Sequence, residues 1–425
     1  MPNSWSARGM AEATLAITRL GHRGDGIADT PAGEVFVPFT LPGETVLADC
    51  DGDRARLIEV RSPSPVRAKP LCRHFGTCGG CALQHMAPRA YRAWKRELVV
   101  TALAHRGLAP EVAPLVAIDP RSRRRAVLTA RRQGKAVTVG YHARLSHRLI
   151  DVEECPVLVP AIEAALPALR RVLEPFVPVK DDLRIGITAT RNGLDLALEG
   201  PARRGPALVA RVVDDVRRMG VARLSIAGEP VLTLAEPAIE VDGIAVVPPP
   251  FAFLQAVEAA EIALGSRVVA AVGGARQVAD LYSGVGTFSL RLARSARVKA
   301  VEGDADALTA LAAAAARAAG LKPVETLRRD LARMPLAAGE LKGFDAVVFD
   351  PPRAGAAAQA AEIARSAVPT VVAVSCNPAT LARDLRILVE GGFRIDSVTP
   401  VDQFLYAPHI EVVARLSRAR GGSGG

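Results

Sequence analysis

Four apolar runs between residues 278 and 374 each break into a turn that carries glycines, carboxylates or a thiol. The runs are Val278–Leu281, Val298–Val301, Ala346–Phe349 and Thr370–Val374, and helical sequence is expected at Thr287–Ala293, Asp304–Ala319, Ala356–Ser366 and Pro378–Glu390. Strands this uniformly apolar are buried on both faces, which requires a parallel sheet with helices on each side. The pattern predicts a multidomain α/β chain whose residues 251–420 form a Rossmann-like, doubly wound, mainly parallel sheet. Ligands of such sheets bind outside the carboxyl ends of the strands, so the four turns should share one crevice.

Two further regions precede this one. Residues 1–63 hold short β-rich pieces (Ala13–Ile17, Glu34–Pro38, Thr45–Ala48, Ala55–Val60) between turns such as HRGDG and TLPGE, the pattern of a small β-barrel. The Pro-rich linker SPSPVRAKP opens residues 64–250, expected to be a central α+β domain. It contains an amphipathic helix, Pro88–Arg106, whose buried stripe reads as Tyr91, Trp94, Leu98 and Ala102, and a second helix at Pro160–Leu173. Residues 421–425, GGSGG, read as a flexible tail.

Charge and cysteine content narrow the function classes. Lys and Arg outnumber Asp and Glu by 54 to 44, a formal charge of +10, which favours a polyanionic partner even after allowance for an Ala/Arg-biased composition. The N-terminal sequence lacks an apolar signal region, and no run of about 18 apolar residues exists, so a cytoplasmic, reduced protein is expected. Its six cysteines then need a purpose other than disulfides.

The turns themselves suggest chemistry. After the first strand, Asp280-Leu-Tyr-Ser-Gly-Val-Gly-Thr carries Gly284 and Gly286, letting backbone approach a ligand at a helix start. The third glycine of the dinucleotide fingerprint is missing, which argues against NAD or FAD. Glu302 ends the second strand, where a carboxylate can hold ribose hydroxyls, and Asp330 lies where the next loop flanks an adenine. In this order the three fit a class I methyltransferase binding S-adenosylmethionine. The run Ala346–Phe349 ends in Asp350-Pro-Pro-Arg353 and the run Thr370–Val374 in Ser375-Cys376-Asn377-Pro378. Cys376 is thus a thiol beside a methyl donor, with a helix N-terminus expected to lower its pKa. Such a thiol has one specific use: C5 of uracil becomes nucleophilic only after a thiolate adds to C6. The C5 proton must then leave to a base, and Glu411 in PHIE is the available carboxylate.

With these residues together, the sequence resembles the RNA (uracil-5-)-methyltransferases, in the iron–sulfur branch that acts on 23S ribosomal RNA. ITRLGHRGDGIADTPAGEVFVPFTLPGETV resembles the family's RNA-binding TRAM barrel, and FLQAVEAAE, LYSGVGTF, VEGD, DPPRAG, SCNPATLARDL and PHIE resemble its donor and catalytic motifs. The resemblance implies Cys376 as nucleophile and Glu411 as proton acceptor. It implies Gln255, Tyr282, Thr287, Glu302, Asp330 and Asp350 around S-adenosylmethionine, with Thr287 standing where relatives often carry Asn.

Cys72, Cys78 and Cys81 form C-x5-C-x2-C, and Cys155 is the available fourth ligand. By spacing this soft-metal site suits zinc or a [4Fe–4S] cluster equally; His74 and His85 offer zinc an alternative ligand but read rather as surface or RNA-facing residues. The resemblance implies the cluster, in a structural or RNA-contacting role. Between Arg121 and Ile150 lie nine basic residues (Arg121, Arg123, Arg124, Arg125, Arg131, Arg132, Lys135, Arg144 and Arg148) and no acidic one, a candidate phosphate-tracking surface with Tyr141, His142 and His147 inside it. The expected partner is RNA, with the target uridine single-stranded or flipped out, and the expected state is a monomer. Transfer RNA as substrate, and a vestigial RNA-binding assembly factor, are the alternatives; the intact Cys376 and Glu411 argue against the second.

Overall fold

The computed structural model describes residues 11–134 and 136–418; the tail expected at 421–425 and Lys135 lie outside them. The C-terminal sheet has seven strands in the order Val324–Arg328, Arg297–Glu302, Gln277–Leu281, Ala346–Phe349, Thr370–Ser375, Glu411–Arg418, Phe393–Val401. The first five are mutually parallel, and Glu411–Arg418 runs antiparallel to both its neighbours. Apolar strand residues face two cores. One lies under helices Ala357–Arg365 and Pro378–Glu390, and the other under helix Glu258–Val272. The carboxyl ends at Leu281, Glu302, Phe349 and Ser375 therefore open on one edge, as the sequence pattern requires.

Six short strands between Ala11 and Ser62 form a separate sheet around Leu15, Val37, Val46 and Ala48. In chain order between this sheet and the C-terminal one comes a third sheet of seven strands, almost wholly antiparallel, covered by helices Pro160–Leu173 and Pro206–Arg218. Among the described residues no helix is long and apolar enough to cross a membrane.

The helix Pro88–Ala104 departs from expectation. Its fully buried residues are Tyr91, Lys95, Val99 and Leu103, a strict i, i+4 stripe that includes a lysine. Val99 and Leu103 pack into the catalytic core against the helix Pro378–Glu390. Trp94, Leu98 and Ala102, read from the sequence as the buried stripe, instead line a cavity. The helix expected at Thr287–Ala293 shrinks to the single turn Ser289–Leu292, flanked on both sides by turns.

A candidate active site at the sheet edge

The antiparallel register of Thr370–Ser375 with Glu411–Arg418 runs from Thr370↔Ser417 to Ser375↔Val412. The next residues on the two strands are Cys376 and Glu411, and the Glu411 carboxylate lies near enough to oppose a charge on the thiol. The sheet thus makes the thiol and the carboxylate neighbours, although 34 other residues separate them in the chain.

Their surroundings set their protonation. Glu411 is 2% exposed; burial, and then the nearby charge of Asp350, push its carboxyl up to about 8. Asp350 is likewise raised by burial, to about 7. Cys376 follows Ser375 and precedes Asn377, whose Oδ1 accepts the Ala379 N–H at 3.2 Å and caps the next helix. The expected lowering of its pKa by that helix does not hold. Burial, reinforced by Glu411 and Asp350 and opposed by Arg353, pushes the thiol up to about 12. Burial, with two carboxyl groups nearby, outweighs half a unit of helix charge.

The carboxylates are linked by amides. The Gln403 Nε2 donates to Glu411 Oε1 at 2.7 Å and to Gln255 Oε1 at 2.6 Å, and Gln255 Nε2 donates to Asp350 Oδ2 at 3.1 Å. Gln403 went unnoticed in the sequence, since a single Gln beside an aromatic carries no periodic or motif signal. Arg353, on the loop after Asp350, is tied to the thiol's loop: its carbonyl accepts from Asn377 Nδ2 at 3.1 Å, and its guanidinium meets His409 Nδ1 at 3.2 Å.

The remaining predicted donor-site residues gather around the glycine loop. Tyr282 adopts φ +62° and is half-buried. Glu302 accepts N–H bonds from Gly284 at 3.0 Å, Gly303 at 2.6 Å and Asp304 at 3.0 Å, which fixes its carboxylate at the strand end. Thr287 is partly buried and Asp330 exposed, its Oδ1 accepting from Ala332 N–H at 3.1 Å. Asp280, 0% exposed and raised to about 7 by burial, bonds Ser289 through one oxygen and leaves Oδ1 unpartnered. Gly286 has φ +98°, and a Cβ there would stand 2.3 Å from Leu311 Cδ1. These features fit a ligand lying close over backbone. Gly286→Ala is expected to destabilise the fold by about 2–4 kcal/mol through backbone strain and overpacking. It should also weaken S-adenosylhomocysteine binding measured by calorimetry; unchanged affinity would remove this loop from the donor site.

A cavity of about 1190 Å³ runs from Cys376, Arg353 and His409 past Phe404 and Trp94 to the four cysteines Cys72, Cys78, Cys81 and Cys155. The cysteines sit close enough to disfavour one another's charge. Burial first, then the neighbouring thiols, raises Cys81 to about 12 and Cys155 to about 11. As the side chains stand, no three His, Cys, Asp or Glu among the described residues converge closely enough to hold a metal ion. Four half-buried soft donors facing one space remain a donor set suited to a soft metal centre. His85 is not on the surface: it is 0% exposed, tilted against Phe75 at 5.4 Å. His74 accepts the Glu153 N–H at 3.3 Å.

Five of the nine basic residues are paired with acids from distant sequence. Arg121 pairs with Glu163, Arg124 with Glu261, Arg131 with Asp182, Arg132 with Glu174 and Arg144 with Asp25. Arg123, Arg125 and Arg144 line the cavity, so the polyanion surface contracts to its rim.

The raised carboxyls predict a pH dependence of stability. Folded Glu411 keeps a proton that the unfolded chain releases near the ordinary carboxylate range, so its contribution is complete below that range and fades as pH rises through about 8. Wild type should therefore lose stability relative to Glu411→Gln between about pH 5 and 8. Melting curves of the two proteins across that window check it; parallel curves would contradict the raised value.

A family model described as tRNA (Uracil-5-)-methyltransferase matches residues 253–419. An uncharacterized RNA methyltransferase of Rhizobium meliloti is 49% identical over 415 residues, covering 96% of this chain and 100% of its own. The 23S rRNA (uracil(1939)-C(5))-methyltransferase of Pectobacterium atrosepticum is 33% identical over 420 residues, covering 94% of this chain and 92% of its own. Among solved structures, the Pyrococcus abyssi tRNA (uracil-54, C5)-methyltransferase in complex with S-adenosyl-L-homocysteine superposes with a TM-score of 0.76 at 24% identity. It covers 95% of this chain and 99% of its own, a likeness of fold.

Proposed function

Since the chain belongs to the RNA (uracil-5-)-methyltransferase family, we propose that it methylates C5 of a uridine in 23S ribosomal RNA by covalent catalysis. The observation that carries this reading is the strand pairing that ends at Ser375 and Val412, one residue short of Cys376 and Glu411, and brings the carboxylate within electrostatic reach of the thiol. The Cys376 thiolate adds to C6, which places electron density on C5. S-adenosylmethionine, held by Gln255, Tyr282, the Gly284–Gly286 loop, Thr287, Glu302, Asp330 and Asp350, supplies an electrophilic methyl group. Glu411 then takes the C5 proton as the C6–S bond breaks and the C5–C6 double bond returns. Burial suits Glu411 to this step, because a base poised near neutrality can both accept and later release a proton.

The cavity beside Cys376 is the entry for a flipped base, with Arg123, Arg125 and Arg144 on the phosphates. Cys72, Cys78, Cys81 and Cys155 would hold a [4Fe–4S] cluster in that wall; the methyl transfer calls for no electron. The choice of ribosomal RNA draws on this cysteine set and on the relative named for 23S rRNA.

Incubation with labelled S-adenosylmethionine and unmodified 23S rRNA or tRNA transcripts tests the substrate. Label in 5-methyluridine of the ribosomal RNA is expected, and label confined to tRNA would overturn the assignment. Anaerobically purified protein is expected to contain about four irons and four sulfides per chain. Stoichiometric zinc without sulfide would replace the cluster with a zinc site.

A further inference from the structure

We propose that Gln403 is the positioning residue of the base: it occupies one oxygen of Glu411, leaves the other as the sole proton acceptor, and ties the pair to Asp350 through Gln255. The inference rests on Glu411 being the base.

One backbone group fixes the polarity of the whole chain of amides. Gln403 is 1% exposed, and its Oε1 accepts the Ala256 N–H at 3.0 Å. A backbone N–H can only donate, so the amide cannot be reversed. Both hydrogens of Nε2 are then committed, one to Glu411 Oε1 at 2.7 Å and one to Gln255 Oε1 at 2.6 Å. Gln255, forced to accept there, must turn its own Nε2 to Asp350 at 3.1 Å. Glu411 Oε2 is buried and has no hydrogen-bond partner among the described residues. It is the atom left free to take the C5 proton.

The bond from Gln403 favours ionised Glu411 against burial. The other groups facing this carboxylate push differently. Asp350, from the end of Ala346–Phe349, and the Cys376 thiol across the strand both disfavour a second charge. Arg353 stands beside Cys376 and bonds His409 on the base's own loop. Asp402 is neutralised by Lys95 from the helix Pro88–Ala104, and Glu261 of the helix Glu258–Val272 by Arg124 and Arg291. Gln403 is thus the uncharged donor that favours the ionised base against burial and the charge of Asp350.

The test is the pH profile of kcat for Gln403→Met, which keeps the volume and cannot donate. The rising limb is expected to move up by about one to two pH units, so that activity near pH 7 falls about tenfold or more and recovers as pH rises. A purely structural role would lower kcat by the same factor at every pH. With RNA containing 5-fluorouracil, whose C5 carries no proton to remove, Gln403→Met at saturating S-adenosylmethionine should trap as much covalent adduct as wild type. Should the methionine variant fail to fold, Gln403→Glu keeps an oxygen for the Ala256 N–H and adds repulsion, moving the limb further up. A profile superposing on wild type, or a pH-independent loss, overturns the role of Gln403. A Glu411→Gln enzyme that turns over normally overturns the base itself, so the two failures are distinguishable.

Discussion

On the proposed covalent mechanism, Cys376→Ala is expected to abolish methylation, with labelled methyl incorporation falling by about 10⁴-fold or more, as for loss of a covalent nucleophile. Without addition at C6, C5 of uracil cannot attack a methyl group, and neither Glu411 nor the donor site can substitute. RNA containing 5-fluorouracil separates this from a binding defect: wild type should give an adduct that survives denaturing electrophoresis, and the alanine variant none. The raised thiol adds a second expectation. With Cys376 pushed up to about 12 by burial, Glu411 and Asp350, iodoacetamide should label the RNA-free protein slowly there. Methylation surviving in Cys376→Ala would end the covalent mechanism, whatever the substrate.

Lys95→Met is expected to be the most damaging substitution outside the reaction centre. Lys95 is 0% exposed, and its ammonium donates to Asp402 Oδ1 at 2.7 Å, to the Phe404 carbonyl at 3.2 Å and to the His409 carbonyl. Tyr91 completes the site: its hydroxyl donates to Asp402 Oδ2 at 2.7 Å and accepts the Tyr406 N–H at 2.8 Å. Four residues of the 402–409 loop, which leads directly to Glu411, thus hang on one helix face. Removing the ammonium strands a buried carboxylate, which costs about 3–5 kcal/mol. For a region of this size that corresponds to a melting point lower by roughly 6–20 °C. Adding Asp402→Asn should restore part of it, because the stranded charge disappears. A single variant that melts like wild type would show that the network contributes nothing to the fold.

That helix also shows where sequence reading stops. Tyr91, Trp94, Leu98 and Ala102 make the more apolar stripe, yet the chain buries Tyr91, Lys95, Val99 and Leu103. Nothing local to residue 95 announces that Asp402 and two carbonyls wait for its charge. The same holds for the basic run at 121–150. Its acids come from residues 25, 163, 174, 182 and 261, so an excess of charge along the sequence became a set of ion pairs in space. Cys376 is a third instance: the helix that follows it was legible, but the burial that outweighs it, and the two carboxyl groups that add to it, come from other strands.

By itself the sequence determined the parallel sheet and the edge on which its turns open, because apolar strands and intervening helices are written in local periodicity. It also determined which residue types stand at the strand ends, and so the chemistry on offer at Asp350, Cys376 and Glu411. Tertiary structure alone decided that Cys376 and Glu411 are cross-strand neighbours, that Gln403 and Gln255 join the carboxylates, and that the cysteines and the reaction centre share one cavity. The physical reason is one of range. Periodicity records which way a side chain points from its own strand or helix, whereas pKa values and hydrogen-bond polarity depend on partners that only packing brings within a few ångströms.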